Sequence, residues 1–372
     1  MMTRGLWQVT NGDTLNATRD FLRALFEKNI LEALLVPVHG AHDSVMPALV
    51  KHPTRLDQAD PFAPVMTFNS ARLVSMLTRE SAHQKIGVVL RSCEIRALIE
   101  LVKFNQAKLD NTIIIGVDCV GTLTAPDYAD ALREHSDLLA RVFDAGKQGN
   151  LGELAVRSAC AMCEHPVPDH ADIAIGFIGV DNTQALDVTM RQDLAEIFGL
   201  VQATPPAWSR EAMVAQLIST RTAQRDAMLK DFHDRMRSDG GFASYFADCL
   251  ECTNCMNACP ICYCKECFFR TANAERAPLE LLRTADRFGA LTMPPDAMLF
   301  QMTRLNHMAT SCIGCGMCEA ACPHDIPLTA MFRAVGSRVQ KIFDYEPGRS
   351  INDKPPFMEF KQNELQYIGE ME

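Results

Sequence analysis

Apolar and polar positions follow two regimes along this chain. Over the first 180 residues, short apolar runs of strand length alternate with stretches of helical spacing, the pattern of an α/β domain. Leu22, Leu25 and Phe26 recur at helical intervals and predict a helix over 16–29, followed by a buried strand over 31–38. Asn69 and Ser70, both good caps, open a helix predicted over 68–78. A strand over 85–90 runs through Arg91, Ser92, Cys93 and Glu94 into a helix over 95–106, then into a strand over 112–117. That succession has the length of one parallel crossover. A further strand is predicted over 172–178.

Beyond residue 180 the strand signals fade. Residues 187–198 and 209–236 read as helices on either side of the Thr204-Pro205-Pro206 break. The chain then stays helical to about residue 342, and a polar tail follows in which Pro347, Pro355 and Pro356 interrupt regular structure. The expected organisation is an α/β domain over 1–180, a helical bridge over 181–245, an all-α domain over 246–342 and an extended tail over 343–372.

Composition changes this picture at one point only. With 48% hydrophobic and 22% charged residues the chain is ordinary globular protein. A net charge of −10 argues against a nucleic-acid partner, whose phosphates demand a basic face. No window reaches the ~18 uninterrupted apolar residues of a membrane span. The first residues, MMTRGLWQVTNGD, lack the apolar core of a signal peptide, so the expected location is the cytoplasm. Fifteen cysteines, however, are far more than a cytosolic protein uses for packing, and disulfides are disfavoured there. None precedes Cys93, four lie from Cys93 to Cys163, and eleven from Cys249 to Cys322.

The later cysteines form two complete runs. Cys249, Cys252, Cys255 and Cys259 precede Pro260; Cys312, Cys315, Cys318 and Cys322 precede Pro323. Both follow the C-x2-C-x2-C-x3-C-P pattern of bacterial 4Fe-4S ferredoxins. Three thiolates two residues apart can wrap one corner of a cubane in a single tight loop, and the fourth points away. Gly314 and Gly316 relieve crowding where backbone amides approach the sulfides. The competing reading is a pair of zinc sites, which more often combine two CxxC pairs with histidines. The runs begin 63 positions apart, at Cys249 and Cys312, with helical patterns over 279–288 and 295–308 between them. Such an insert resembles the α-helical ferredoxin domain of heterodisulfide reductase and succinate dehydrogenase iron–sulfur subunits. On the crossing-over rule, Cys249, Cys252, Cys255 and Cys322 hold one cluster, and Cys312, Cys315, Cys318 and Cys259 the other. Cys262, Cys264 and Cys267 remain as alternates, members of another centre, or spare thiols. Met293, Met298, Met302 and Met308 read as core filler, and His324 as a group able to hydrogen-bond a cluster.

Cys93 and Cys119 follow predicted strands, where open α/β sheets place their ligands, and Cys160 and Cys163 form a chelating pair. The four suit a third cubane; the alternative is that Cys93 and Cys119 are small buried core residues. No GxGxxG or Walker loop occurs in this half.

The stretches Val88-Val89-Leu90-Arg91-Ser92-Cys93-Glu94-Ile95-Arg96-Ala97-Leu98, Ile115-Gly116-Val117-Asp118-Cys119-Val120-Gly121-Thr122 and Cys160-Ala161-Met162-Cys163 resemble the β subunits of coenzyme F-420-reducing hydrogenases and formate dehydrogenases. The run from Cys259 through Cys262 and Cys264 to Cys267 is similar to the formate dehydrogenase branch. The resemblance covers most of residues 30–335. It implies FAD, a third 4Fe-4S cluster on Cys93, Cys119, Cys160 and Cys163, and an oxidoreductase subunit whose substrate is oxidised elsewhere. It also implies a catalytic formate dehydrogenase or hydrogenase subunit as partner. Electrons would go to a soluble carrier such as a deazaflavin, or to a heterodisulfide-reductase-like module. Residues suited to a flavin pyrophosphate are Asn69, Ser70 and Arg72 at one helix start, Arg91, Ser92 and Arg96 at another, and Gly121 and Thr122 in a loop. Helix capping or surface charge explains each of them as well. The fold class expected is therefore an α/β flavin-binding-type domain followed by an all-α ferredoxin domain with two 4Fe-4S clusters. The other functional reading is a flavin-free iron–sulfur relay and docking subunit. The tail, with Phe357 and Phe360, is either an arm across a partner or a frayed terminus.

Overall fold

The computed structural model describes residues 1–80, 83–149, 155–200, 210–238, 240–271, 277–291, 297–359 and 362. Its first half is organised by three buried parallel strands: β2 (Ala33–His39), β4 (Ile86–Arg91) and β5 (Thr112–Val117). Every residue of β4 and β5 is buried, as expected for strands covered on both faces. A fourth parallel strand, β6 (Ile173–Gly176), extends this set beside β5. Antiparallel strands close the two edges. β3 (Val45–Val50) pairs with β2, while β7 (Ala185–Arg191) pairs with β6 and β1 (Met2–Gln8) with β7. The order is β1-β7-β6-β5-β4-β2-β3.

Helices α1 (Thr14–Glu27), α2 (Ala71–Thr78) and α3 (Ser92–Lys103) arise where apolar residues recur at helical spacing. Asp13 caps α1 by accepting from the Asn16 amide. α3 follows β4 without a loop, and Glu94 satisfies the Arg91 amide at the junction, 2.9 Å away. α4 (Ala125–Glu134), α5 (Leu138–Gln148) and the single turn α6 (Ser158–Ala161) lie between β5 and β6. α7 (Gln192–Phe198) leaves β7 directly, and α8 (Arg210–Arg237) follows.

Two sequence expectations are corrected here. Residues 187–198, read as helix, are strand to Arg191 and helix only afterwards. The interior of β7 contains Asp187, which looks like one polar face of a helix. It is buried because Arg4 and Arg210 pair with it, at 2.8 and 2.9 Å. β1 lies in a stretch for which no strand was predicted. The Thr204-Pro205-Pro206 break lies outside the described residues, as do Met293, Pro295 and Phe360.

The chain divides into two units. The first comprises Met1–Ala227 together with Ile313–Gly316 and Pro347–Lys354; the second comprises Met228–Cys312, Met317–Glu346 and Pro355–Glu372. The second unit is helical: α9 (Gly241–Tyr245), α10 (Asn254–Ala258), α11 (Pro278–Phe288), α12 (Ala297–Met308), α13 (Met317–Ala320) and α14 (Leu328–Ile342). Its core joins Phe232, Phe246, Met256, Phe300, Ile326, Met331 and Phe332 to the buried thiols of Cys249 and Cys255. Met308 packs against this core, whereas Met302, expected as filler, is 54% exposed. Among the described residues no helix is long and apolar enough to cross a membrane.

Candidate functional site

The two cysteine runs are built alike. Each places its third cysteine in a short helix, Cys255 in α10 and Cys318 in α13, and these two helices pack together. Cys249, Cys252 and Cys255 share one cavity with Cys322 of the other run. The cavity is also lined by Gln301, Pro323 and His324. Runs that begin 63 positions apart thus meet, and the turn made by Pro323 follows the fourth thiol.

A cation and a hydrogen-bond donor stand beside two of these sulfurs. Arg304 of α12 points Nη1 at Cys255 Sγ, 3.1 Å away, and Gln301 Nε2 lies 3.4 Å from Cys249 Sγ. Burial pushes the Cys255 thiol up, while the Arg304 charge and the Gln301 hydrogen bond act against it. Cys262 is likewise raised by burial and opposed by Arg304, with Cys264 and Cys267 near it. Cys267 Sγ rests 3.9 Å from Met256 Sδ, and Cys264 is exposed.

In the first unit, Cys93, Cys119, Cys160 and Cys163 lie past the carboxyl ends of the parallel strands and are electrostatic neighbours, although among the described residues no three metal-ligating side chains are placed to hold a single ion. Cys93 stands in the first turn of α3 and Cys119 just after β5. Burial raises the Cys93 thiol well above its ordinary value, and the neighbouring charges of Glu94, Cys315, Cys119 and Cys163 add to that rise. Cys315 reaches this group because the loop Ile313–Gly316 belongs to the first unit. Cys119 is raised by burial, with Arg91 opposing and Cys160 adding to the rise.

Cys160 behaves differently. Burial acts to raise its pKa, but Arg157 and two donors from Thr122 outweigh it, so the thiol is held below its ordinary value. The Thr122 amide lies 3.4 Å from Cys160 Sγ and Arg157 Nη2 lies 3.7 Å from it. Gly121 makes this approach possible. Its φ is +118°, and a Cβ there would fall 2.7 Å from Val156 and 3.3 Å from the Cys160 Cβ. Arg221 of α8 is fully buried beside the group, with Nη1 near the carbonyls of Cys119 and Cys163, at 3.5 and 3.4 Å. Among the described residues its Nε and Nη2 find no partner. Unpaired buried guanidinium nitrogens are costly, so they mark a place where an acceptor belongs. A cubane bearing thiolates and sulfides fits that requirement.

The flavin candidates fall into two groups. Arg91 Nη2 donates to the Ala63 carbonyl at 2.6 Å, and Arg96 is engaged by the Pro347 and Ile313 carbonyls. Thr122 faces Cys160, and Ser92 is buried in the first turn of α3. At the start of α2, by contrast, Ser70 N is held by Glu94 at 2.8 Å, and Asn69 Nδ2 is buried with no partner among the described residues. Arg72 follows in the first turn.

Sequence reasoning passed over four polar side chains beside the cysteines: Arg157, Arg221, Gln301 and Arg304. Single residues carry no spacing signature. The available signals were an arginine three places before a CxxC pair, and a glutamine and an arginine three apart in an apolar helix.

An α/β sheet domain followed by a helical domain with two four-cysteine runs defines an iron–sulfur class of protein. Residues 245–326 match the family described as a 4Fe-4S dicluster domain. The F420-dependent formate dehydrogenase subunit beta of Methanocaldococcus jannaschii is 25% identical over 379 aligned positions, covering 93% of this chain and 94% of its own. The F420-dependent formate dehydrogenase 1 subunit beta of Methanococcus maripaludis is 28% identical over 304, covering 73% and 74%. A chain of the F420-reducing [NiFe] hydrogenase complex from Methanosarcina barkeri aligns with a TM-score of 0.43 at 14% identity, over 62% of this chain and 92% of that one. The resemblance read from the motifs is thus borne out: the chain is similar, over 93% and 73% of its length, to two F420-dependent formate dehydrogenase beta subunits.

Proposed function

We propose that this chain is the electron-transfer beta subunit of a formate dehydrogenase complex, holding 4Fe-4S clusters on its cysteine runs and a flavin in its α/β unit. The observation that carries the reading is the cavity shared by Cys249, Cys252, Cys255 and Cys322, with Arg304 and Gln301 donating to its sulfurs. Cys312, Cys315, Cys318 and Cys259 are assigned to a second cluster by the spacing of the runs. Cys93, Cys119, Cys160 and Cys163 are assigned to a third, supported by the unpaired nitrogens of Arg221. Bound clusters supply one-electron transfer, and a flavin supplies exchange between one- and two-electron carriers.

The chain's own residues bind and shield these groups. Asn69 and Ser70 at the start of α2 are the flavin candidates the geometry leaves open, since Arg91, Arg96 and Thr122 already have protein partners. The separate catalytic subunit oxidises formate, and a soluble carrier or a heterodisulfide-reductase-like module accepts the electrons. The occupation of Arg91, Arg96 and Thr122 also favours a second reading, a flavin-free relay.

One experiment decides between these. The anaerobically purified full chain is denatured, its iron is counted and the supernatant is examined for flavin. About twelve irons with released flavin support the first reading, and iron without flavin after reconstitution supports the relay. Zinc in place of iron would overturn both.

A further inference from the structure

α12 lies in the insert between the two cysteine runs and brings two polar side chains, Gln301 and Arg304, into the apolar interior. They stand three residues apart and so share one face. Gln301 is 1% exposed and Arg304 5%. The guanidinium reaches Cys255 twice, through Nη1 to Sγ at 3.1 Å and through Nη2 to the carbonyl at 3.2 Å. Gln301 fixes its orientation, accepting from Arg304 Nη1 at 3.1 Å. The same amide donates through Nε2 towards Cys249 Sγ at 3.4 Å. The rings of Phe300 and Phe332 flank the cation, their centroids 5.7 and 5.1 Å from its central carbon.

A buried charge must be compensated, or it costs several kcal/mol. Among the described residues no carboxylate pairs with Arg304. The group it faces is Cys255, through Sγ at 3.1 Å and the carbonyl at 3.2 Å. Its compensating charge is therefore expected from the centre that these cysteines bind.

We infer that Arg304 is the counter-charge that sets the reduction potential of the centre bound by Cys249, Cys252 and Cys255, with Gln301 as its positioning residue. This rests on the iron–sulfur reading above. Reduction adds one negative charge to the centre. A fixed cation and hydrogen bonds at its sulfurs favour the more negative state and so raise the potential.

The test is a redox titration of the reconstituted full chain, followed by EPR, with iron counted for each sample. Arg304→Gln should keep its iron and lower one midpoint only, with at least a tenfold change in the oxidised-to-reduced ratio at the wild-type midpoint, equivalent to about 59 mV for one electron. Arg304→Lys, which keeps the charge, should recover most of the shift. Gln301→Leu should give a smaller shift in the same direction, and remains informative if Arg304→Gln loses iron. Wild-type midpoints in the variants that retain iron, or loss of iron in all three, would overturn the inference. Wild-type protein with no cubane signal would instead overturn the reading on which it rests.

Discussion

At the scale of single residues, the cysteines differ in what the protein invests around them. Cys160 accepts a hydrogen bond from the Thr122 amide, shares another with the Thr122 hydroxyl and faces the charge of Arg157, against the cost of burial. Cys264 is exposed, and among the described residues none hydrogen-bonds its sulfur. Hydrogen bonds to a charged acceptor contribute about 1.5–3 kcal/mol each, which no exposed spare thiol would need. Cys160→Ser should therefore cost the reconstituted chain about four irons, one cubane, and leave the centres of residues 245–326 intact. Cys264→Ser should leave the iron count unchanged. Iron analysis with EPR separates the two outcomes. Equal iron in both variants would remove the four amino-terminal thiols from the ligand set.

At the scale of elements, the loop that carries Cys119 is held by an ion pair far from it in sequence. Asp118 accepts from the amides of Phe177 and Ile178, both at 2.9 Å, and from Arg210 at the start of α8, at 2.5 and 3.0 Å. Its side chain is fully buried. Arg210→Met leaves that carboxylate without its cation and should destabilise the sheet unit by roughly 3–5 kcal/mol. The double variant with Asp118→Asn should recover part of the loss. Urea unfolding of the metal-free chain, followed by tryptophan fluorescence, reads both. A single variant as stable as the wild type would show that the pair is not holding the loop. The same long-range pairing explains which elements the sequence made legible. β5 coincides with its predicted span, 112–117, because its burial is written in consecutive apolar residues. The cysteine runs were legible because their ligands are neighbours in the chain. β7 was not, since its buried Asp187 is tolerated only through Arg4 and Arg210, which no local pattern connects. Arg221 and Arg304 were hidden for the same reason, since folding alone brings each to its cysteines.

At the scale of the whole molecule, the order of the chain and the membership of its units diverge. The tail, expected to be an extended arm or a frayed end, returns over Pro347–Lys354 to the first unit and packs on α3. Arg96 donates through Nε and Nη2 to the Pro347 carbonyl at 3.1 and 2.8 Å, and Glu100 accepts from the Gly348 amide at 2.8 Å. Arg96 Nη1 also reaches the Ile313 carbonyl, at 3.4 Å, so one arginine holds both the tail and the loop bearing Cys315. Contact is this close because Gly348 lacks a side chain. A Cβ there would lie 2.4 Å from the Arg96 Cβ and 2.6 Å from its Cα, with φ already at +79°. Gly348→Ala should therefore lift the segment from α3. Gly289 supplies the control, because its φ is +78° and no described residue lies within 4 Å of the added carbon. Alanine there meets only the left-handed backbone cost of about 1–2 kcal/mol. Limited proteolysis should cleave the Gly348→Ala chain several-fold faster within residues 343–359 than either the wild type or Gly289→Ala. Its thermal midpoint should also fall below that of Gly289→Ala. Equal cleavage of the two variants would mean that the returning segment is not fastened through Gly348. The cysteine loop at 313–316 would then have to be held in the first unit by contacts other than the Arg96 clamp.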